Sequence, residues 1–272
     1  MNIKAIMCDM DGTLLTDTGI VSPVTLEAIK KVREQGILFG ICTGRAIDNI
    51  LFLLKELGIS DYVDCIVGTG GGEIYDKATN TRESSFPLDG ELIKEVVSHY
   101  EDMDLNFAIP YKGAFYTPKD DRHIRRLSTN DHVEYVVCDY NEFLQESKPK
   151  LILITDAENM PAVVERSKTF HNDQYKSASL VTTSILYEYM DPRISKSYGL
   201  KQLMGLKGIS LDELCTFGDA DNDYDMTITA GIGVVMANGS EKTKSVADYI
   251  TDDNNHDGIG NFINTHILKE NA

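Results

Sequence analysis

The sequence predicts an α/β protein with a doubly wound parallel-sheet (Rossmann-like) core that is interrupted by an inserted α+β domain. Short apolar runs alternate with helical periodicity over the first 80 residues and again from Ser195, whereas strand-like runs dominate the segment between them. At 272 residues the chain is also long for a single hydrophobic core. We therefore expect an α/β core formed by residues 1–82 and 191–272, with an inserted domain at residues 83–190.

Both parts of the core alternate strand and helix along the chain. The run 37–42 is apolar throughout, which is typical of a parallel strand buried on both faces. Ser22 followed by Pro23 predicts a helix start, because serine caps helices and proline suits their first position. The predicted strands are 3–8, 37–42, 65–67, 214–218, 232–236 and 249–251. The predicted helices are 22–36, 46–57, 222–230, 240–247 and 258–268.

The segment 83–190 differs from the core because strands outnumber helices in it. Its predicted strands are 105–109, 114–117, 133–138, 151–155 and 186–190, and its two convincing helices are 91–100 and 160–170. This pattern favours an α+β domain built on a largely antiparallel sheet.

Composition excludes several classes of protein. With 26 basic and 43 acidic residues the net charge is −17, which repels nucleic acid phosphates, and no basic stripe is present. No apolar stretch approaches the ~20 residues of a membrane span, and we find no signal-peptide pattern. The cysteines are odd in number, without CxxC spacing, and mostly within apolar runs: Cys8, Cys42, Cys65, Cys138 and Cys215. We therefore expect a cytoplasmic protein with reduced thiols that binds neither nucleic acid nor a membrane.

Four polar segments lie where an open α/β sheet binds its ligands, past the carboxyl ends of strands. They are 9–13, 43–45, Lys196 and 218–223. Each has a plain structural alternative. The first could be an Asp-Gly turn, Thr43 a helix cap, Lys196 a solvated lysine at a helix start, and the acidic run an exposed loop or a set of helix N-terminal charges. Together these alternatives require four coincidences at strand ends.

The same residue types suit phosphoryl transfer. Asp9 and Asp11 repel each other unless a cation neutralises them, and Mg²⁺ prefers carboxylate oxygens. One carboxylate can attack phosphorus to form an aspartyl-phosphate, and a second can protonate the leaving oxygen and then activate water. A lysine and hydroxyl or backbone donors would hold the phosphoryl oxygens, where charge spreads in the transition state. In an acidic protein, the cation and Lys196 would make the local positive centre that an anionic substrate requires.

The motifs resemble those of the haloacid dehalogenase superfamily, in its Cof-like phosphatase branch with an inserted cap. Asp9-Met10-Asp11-Gly12-Thr13 matches the DxDGT motif, Thr43 and Lys196 match the second and third motifs, and 218–223 matches GDxxND. Segments 231–238 and 253–258 resemble the C-terminal segments of the branch. The resemblance therefore covers the whole predicted core.

The resemblance implies a role for each matched residue. Asp9 would be the nucleophile and a metal ligand, and Asp11 the general acid/base, with its backbone carbonyl as a further ligand. Asp219 would complete the protein ligands of Mg²⁺, supported by Asp223 directly or through water. Thr43, Gly44, Lys196 and Asn222 would bind the phosphoryl group. The inserted domain would be a mobile cap that excludes water and selects the leaving group.

One segment departs from the branch pattern, and two further features each have two interpretations. The turn 68–72 lacks the Asn of the usual Asn-Gly-Gly/Ala turn, so the substrate contacts of that turn do not carry over, although its glycines can serve a tight turn. Arg45 is either a substrate contact or a surface arginine. The basic cluster of the cap is either a leaving-group contact or a solvated helix face, and it consists of Arg122, His123, Arg125 and Arg126.

The sequence thus predicts a cytoplasmic, Mg²⁺-dependent phosphatase acting on small phosphorylated metabolites, with sugar phosphates as the leading class. A phosphotransferase or mutase that passes the aspartyl-phosphate to a second hydroxyl is the enzymatic alternative. A non-catalytic sensor of a phosphorylated ligand is the third. It predicts the loss of at least one of four key residues, yet all four are present: Asp9, Asp11, Lys196 and Asp219.

Overall fold

The computed structural model describes residues 2–175 and 177–268, and the chain divides into two compact units. One unit comprises the residues up to Glu83 together with those from Ser195 onward, and the other is Ser84–Ile194. No described helix is long and apolar enough to cross a membrane. The predicted fold class, an α/β core with an inserted α+β segment, is confirmed.

The described residues form fourteen strands and ten α-helices, together with short 3₁₀ and π-helical segments. The strands are β1 Ala5–Cys8, β2 Leu38–Cys42, β3 Cys65–Gly68, β4 Glu73–Asp76, β5 Thr81–Ser84, β6 Asn106–Tyr111, β7 Ala114–Thr117, β8 Tyr135–Val137, β9 Leu151–Ile154, β10 Ala178–Thr183, β11 Leu186–Met190, β12 Leu214–Gly218, β13 Ile232–Met236 and β14 Tyr249–Thr251. The helices are α1 Pro23–Glu34, α2 Ile47–Glu56, α3 Gly90–His99, α4 Arg122–Asp131, α5 Tyr140–Phe143, α6 Met160–Ser167, α7 Lys196–Lys207, α8 Tyr224–Thr229, α9 Glu241–Lys244 and α10 Gly258–Phe262.

The first unit is built on an eight-stranded sheet in the order β14-β13-β12-β1-β2-β3-β4-β5. The strands from β14 to β3 run parallel, and β4 returns antiparallel to β3. Strand β1 lies between β12 and β2, with Ala5 opposite both Leu214 and Leu38. Parallel neighbours end at the same edge of a sheet, so the segments that follow β1, β2 and β12 come together there.

Alternating side chains of β1 face two separate apolar layers, as a doubly wound sheet requires. Ile6 packs on one face in a buried cluster with residues of α1, α2 and α10, such as Ile29 and Ile50. Met7 packs on the other face in a buried cluster with residues of α7 and α8, such as Leu200. Helices on both faces leave the strand ends as the place where polar side chains can gather.

The start of α1 follows the predicted capping pattern. Ser22 is the N-cap residue, and its hydroxyl accepts a hydrogen bond from the Thr25 amide at 3.2 Å. Pro23 occupies the first helical position, where its missing N–H leaves no helical hydrogen bond unmade. The predicted N-cap is therefore confirmed, and the helix ends at Glu34 rather than Gly36.

The second unit carries a six-stranded sheet in the order β10-β11-β9-β6-β7-β8. Every pair in it is antiparallel except β7 with β8, so the expectation of a largely antiparallel sheet is confirmed. The expectation of only two helices was wrong, because α4 and α5 also form. Helix α4 is rich in arginine and buries only a narrow stripe that includes Ile124 and Leu127, so its sequence contains few apolar residues that would mark a helix.

The basic cluster on α4 is paired with carboxylates of its own unit. Arg122 donates to both Asp104 at 2.6 Å and Asp156 at 2.8 Å, and Arg126 donates to Asp156 at 2.7 Å. His123 is buried beside Asp104. Ligand atoms of Asp104, His123 and Asp156 lie within 4.8 Å of one another, as in a cation site, but the two arginines already neutralise both carboxylates. The cluster therefore ties α4 to the strand ends beside it.

Two tyrosines of β11 lie in the core of the second unit. Tyr187 and Tyr189 are 3% and 2% exposed, within a buried cluster that also contains Leu92 of α3 and Val163 of α6. The Tyr189 hydroxyl lies 2.8 Å from that of Tyr100, which satisfies both buried polar groups.

Candidate active site

Three carboxylates meet beyond the ends of β1 and β12. Asp9 directly follows β1, and its amide donates to the Phe217 carbonyl of β12 at 2.9 Å, which fixes its position against the neighbouring strand. Asp219 directly follows β12, and Asp223 ends the short turn after it. One oxygen from each of the three carboxylates lies within 4.8 Å of the others. The structure thus brings together three of the four predicted metal ligands through their side chains.

Lys196 lies between two of these carboxylates. Its ammonium donates to Asp9 Oδ1 at 2.7 Å and to Asp223 Oδ1 at 2.5 Å, and the residue is only 3% exposed. It is the first residue of α7, whose N-cap Ser195 accepts from the Tyr198 amide at 3.2 Å. The interpretation of Lys196 as a solvated lysine at a helix start is therefore wrong.

The electrostatics of the cluster follow from burial. Burial raises the pKa of Asp9, against the opposing effect of Lys196, and the Asp223 carboxylate raises it further. Burial also raises the pKa of Asp219 to about 6, although the Thr13 hydroxyl acts in the opposite direction. Burial alone would lower the pKa of Lys196, but the carboxylates of Asp223 and Asp9 outweigh it and raise that pKa. The three carboxylates with one ammonium carry a net charge of −2 when ionised, and burial disfavours that charge.

Asp223 organises the loop that carries Asp219. Its Oδ2 accepts hydrogen bonds from the amides of Asp219 and Ala220, each at 2.9 Å, while its Oδ1 accepts from Lys196. The side chain is fully buried. The interpretation of this acidic run as an exposed loop is therefore wrong for Asp223, which holds the loop closed and presents Asp219.

Gly12 and Thr13 hold Asp219 from the opposite side. The Thr13 hydroxyl donates to Asp219 Oδ1 at 2.6 Å. Gly12 has a φ of 77°, and a Cβ built on it would lie 2.6 Å from Asp219 Oδ2. Only glycine permits both the backbone conformation and this close approach. Thr13 had no separate predicted role, because nothing in its local pattern points to a carboxylate partner 206 residues away.

Asp11 lies apart from the carboxylate cluster and pairs with Arg45. The guanidinium donates through Nε to Asp11 Oδ2 at 3.0 Å and through Nη2 to Oδ1 at 3.1 Å. The Asp11 side chain is 58% exposed, whereas that of Arg45 is 20% exposed. Arg45 is therefore neither a free surface arginine nor part of α2, which begins at Ile47.

The turn after β3 supports the segment that carries Thr43. The Thr69 amide donates to the Arg45 carbonyl at 2.8 Å, and the Gly70 amide donates to the Thr43 carbonyl at 3.0 Å. Gly71 has a φ of 109°, and a Cβ there would lie 1.8 Å from the Ser195 carbonyl oxygen. The glycines thus serve a tight turn that lets the start of α7 approach closely.

The remaining predicted phosphate ligands lie on these loops. Thr43 is 2% exposed, and its hydroxyl accepts from the Arg45 amide at 3.3 Å. It is not a helix cap, because Ala46 takes that position for α2. Gly44 follows it, and a Cβ there would meet no heavy atom within 4 Å. Asn222 lies in the turn before Asp223, and its Oδ1 is buried without a hydrogen-bond partner among the described residues.

The carboxylate cluster fits a divalent cation. Two of its members, Asp9 and Asp219, have pKa values raised by burial, so their ionised forms need a compensating positive charge. A dication would cancel the net charge of −2, and the hard oxygen ligands suit Mg²⁺. The cluster therefore suits a divalent metal ion.

The chain matches the model of the haloacid dehalogenase-like hydrolases over residues 6–263. It therefore belongs to that family, and the family predicted from the motifs is confirmed. The match includes both parts of the core and the segment inserted between them.

Named relatives are similar over nearly the whole chain. Two 5-amino-6-(5-phospho-D-ribitylamino)uracil phosphatases of Bacillus subtilis are each 25% identical to it. One match covers 96% of this chain and 97% of the relative, and the other covers 99% and 100%.

A solved haloacid dehalogenase-like hydrolase from Bacteroides thetaiotaomicron has a TM-score of 0.86 at 25% identity, over 96% of this chain and 98% of that one. A solved sugar phosphatase of subclass IIB has a TM-score of 0.80 at 22% identity, over the same shares, and shows the same fold.

Proposed function

We propose that this protein is a Mg²⁺-dependent phosphatase that hydrolyses small phosphorylated metabolites through an aspartyl-phosphate on Asp9. The observation that carries the proposal is the buried contact of Lys196 with Asp9 and Asp223, next to Asp219. A carboxylate held at a ligand-binding sheet edge, beside a cation that can also bind a phosphoryl oxygen, supports the role of Asp9 as the nucleophile. The phosphatase names of its relatives support the same enzyme class.

The reaction has two steps on this chain's own residues. A carboxylate oxygen of Asp9 attacks phosphorus, and the bond to the ester oxygen breaks as Asp11 gives that oxygen a proton. Asp11 then takes a proton from water, whose oxygen attacks the phosphorus and releases inorganic phosphate, which restores Asp9. Lys196 and Thr43 hold phosphoryl oxygens, where negative charge spreads in the transition state.

Asp11 must turn toward the substrate for these transfers. Its pairing with Arg45 is largely exposed on the Asp11 side, and exposed pairs of this kind stabilise by only about 0–1 kcal/mol. Breaking the pair therefore costs little, and a substrate phosphate can take the place of the carboxylate beside Arg45.

Asp9, Asp219, Asp223 and the carbonyl of Asp11 would hold Mg²⁺, with Asp223 acting directly or through water. When bound, the ion would reduce the electrostatic repulsion between the anionic nucleophile and the anionic phosphate. The chain's own contribution is to fix those oxygens through Thr13, Lys196 and the amides that donate to Asp223.

The proposed substrates are small phosphate monoesters, with sugar phosphates as the leading class. The 25%-identical relatives are named for a phosphorylated ribitylamino compound, a polyol phosphate with a small heterocycle. The net charge of −17 disfavours phosphorylated nucleic acid as the substrate.

A panel of phosphorylated metabolites, read out as phosphate release with and without Mg²⁺, tests the proposal. We expect turnover of at least one sugar or polyol phosphate and none by Asp9→Asn. A phosphotransferase would instead place the phosphoryl group on an added alcohol with little free phosphate. Saturable binding without turnover would indicate a sensor and overturn the proposal.

A further inference from the structure

Two asparagines far along the chain hold the loop that carries Asp11. Asn238 follows β13, and its side-chain amide donates to the Gly12 carbonyl at 2.8 Å. Asn254 follows β14, and its side-chain amide donates to the Leu15 carbonyl at 2.9 Å and to Asp17 Oδ1 at 3.0 Å. Both contacts lie within the first compact unit.

The two asparagines are also linked to each other. The backbone amide of Asn254 donates to Asn238 Oδ1 at 3.3 Å. A continuous chain of hydrogen bonds therefore runs from Gly12 through Asn238 and Asn254 to Leu15. We call these two side chains with their three loop contacts the asparagine brace.

The brace contacts the loop on the C-terminal side of Asp11, at Gly12, Leu15 and Asp17. Residues 11 and 15 already face each other through a short bridge, and the Leu15 amide donates to the Met10 carbonyl at 2.9 Å. Met10 and Leu14 anchor the loop in the apolar core, whereas Asp11, which lies between them, is exposed. Without the brace, the carbonyls of Gly12 and Leu15 would lose these side-chain donors, and the loop would gain freedom at the point where Asp11 must be held.

Asn254 is a buried residue of the first unit and not a surface side chain. It is 6% exposed, and its side-chain amide uses both hydrogens on the loop. The neighbouring Asn255 accepts from the Asp17 amide at 3.0 Å, so two consecutive residues contact the far end of the loop. A buried amide that satisfies two partners on one loop is a strong constraint on that loop.

We propose that Asn238 and Asn254 are positioning residues for the hydrolase reaction, acting by fixing the loop of Asp11 against Asp9 and Asp219. The inference rests on the proposed function of Asp11 as acid/base. It predicts that loosening the brace slows both proton transfers while leaving the phosphate ligands in place. The effect should therefore appear in kcat more than in KM.

Three isosteric variants of equal charge test the brace. Asn238→Asp keeps the acceptor for the Asn254 amide but loses the donor to Gly12. Asn254→Asp loses both donors and places a carboxylate beside Asp17. The matched control is Asn261→Asp, whose exposed amide donates to Asp252 at 2.8 Å and to the His256 carbonyl at 3.1 Å, away from the loop.

Two readouts are compared in the intact protein: phosphate release, and hydrogen–deuterium exchange of the peptide that spans residues 10–18. We expect both brace variants to exchange faster in that peptide. Their kcat should fall by about 10- to 100-fold, as expected for a displacement of ~1 Å, with KM within about threefold. Asn261→Asp should match the wild type in both readouts, and melting curves should confirm that all three variants fold.

The outcomes separate this proposal from the proposed function. Unchanged exchange in both brace variants would overturn the brace, and so would faster exchange with unchanged kcat. Equal losses in Asn261→Asp would attribute the effect to added carboxylate and also overturn it. A wild-type chain without any phosphatase activity would instead overturn the proposed function, and with it the catalytic role of the brace.

Discussion

A methyl group on Gly12 would collide with the carboxylate of Asp219, one of the proposed metal ligands. The added Cβ would lie 2.6 Å from Asp219 Oδ2 and 3.0 Å from its Cγ. Non-bonded heavy atoms pack at about 3.5 Å, so Asp219 or the loop of Gly12 must recede by about 1 Å. Displacements of that size in a catalytic constellation cost on the order of 100-fold in rate. We therefore expect Gly12→Ala to lower kcat by about 100-fold and to raise the Mg²⁺ concentration needed for half-maximal activity.

The chain supplies a matched control for backbone strain. Gly19 has a φ of 76°, nearly that of Gly12, but a Cβ there would meet no heavy atom within 4 Å. Both alanine variants carry a left-handed strain of about 1–2 kcal/mol. Only Gly12→Ala also displaces Asp219.

Phosphate release is measured for both variants over a Mg²⁺ titration, with urea unfolding as the check on stability. Gly19→Ala should lose stability but keep its kcat and its Mg²⁺ dependence. If Gly12→Ala and Gly19→Ala gave the same kcat and the same half-saturating Mg²⁺, the close packing of Gly12 on Asp219 would have no role in catalysis.

Other changes have equally definite outcomes. Asp9→Asn should abolish phosphate release without lowering the urea midpoint, since burial disfavours the charge that it removes. Substantial turnover by this variant would exclude Asp9 as the nucleophile. Chelation of Mg²⁺ should stop turnover, and added Mg²⁺ should restore it; full activity in chelator would rule out the metal. Lys207→Met should cost about 3 kcal/mol of unfolding free energy at pH 7, because it leaves buried Asp76 without its cation at 2.6 Å. Although burial acts to raise the pKa of Asp76, hydrogen bonds from Lys207 and Thr79 lower it. The stabilisation from this pair is therefore fully present above the unfolded pKa of about 3.9 and is lost as the pH falls through the lower pKa of folded Asp76. If Lys207→Met still cost the same unfolding free energy below that folded pKa, the pairing would be contradicted.

The core could be predicted from sequence because its signals are local. Apolar runs such as 37–42 predict the strands, and capping residues such as Ser22 predict where helices begin. The polar residues that follow the apolar runs indicate where the strands end. The inserted segment was harder. Helix α4 keeps only a narrow apolar stripe among charged residues, and β10 is largely half-exposed at the edge of its sheet, so neither stands out as an apolar segment.

The candidate site divides in the same way. Asp9, Lys196 and Asp219 could be named from short motifs at strand ends. The structural alternatives for these residues could be rejected only from burial and contacts. Lys196 is an example, because its sequence context also fits a solvated lysine at a helix start, whereas the structure buries it. The contacts of Thr13 and Asn238 could not be predicted, because each joins residues more than 200 positions apart and no local pattern encodes such a pairing.

Trapping the covalent intermediate tests the central claim most directly. Asp11→Asn should still be phosphorylated but should release the phosphoryl group slowly, because no carboxylate at that position activates water. The variant is mixed with its best substrate and Mg²⁺, quenched in acid, and its peptides are weighed by mass spectrometry. We predict one phosphoryl group on Asp9. Phosphate release at the wild-type rate with no label on Asp9, or with label on another residue, would contradict the account.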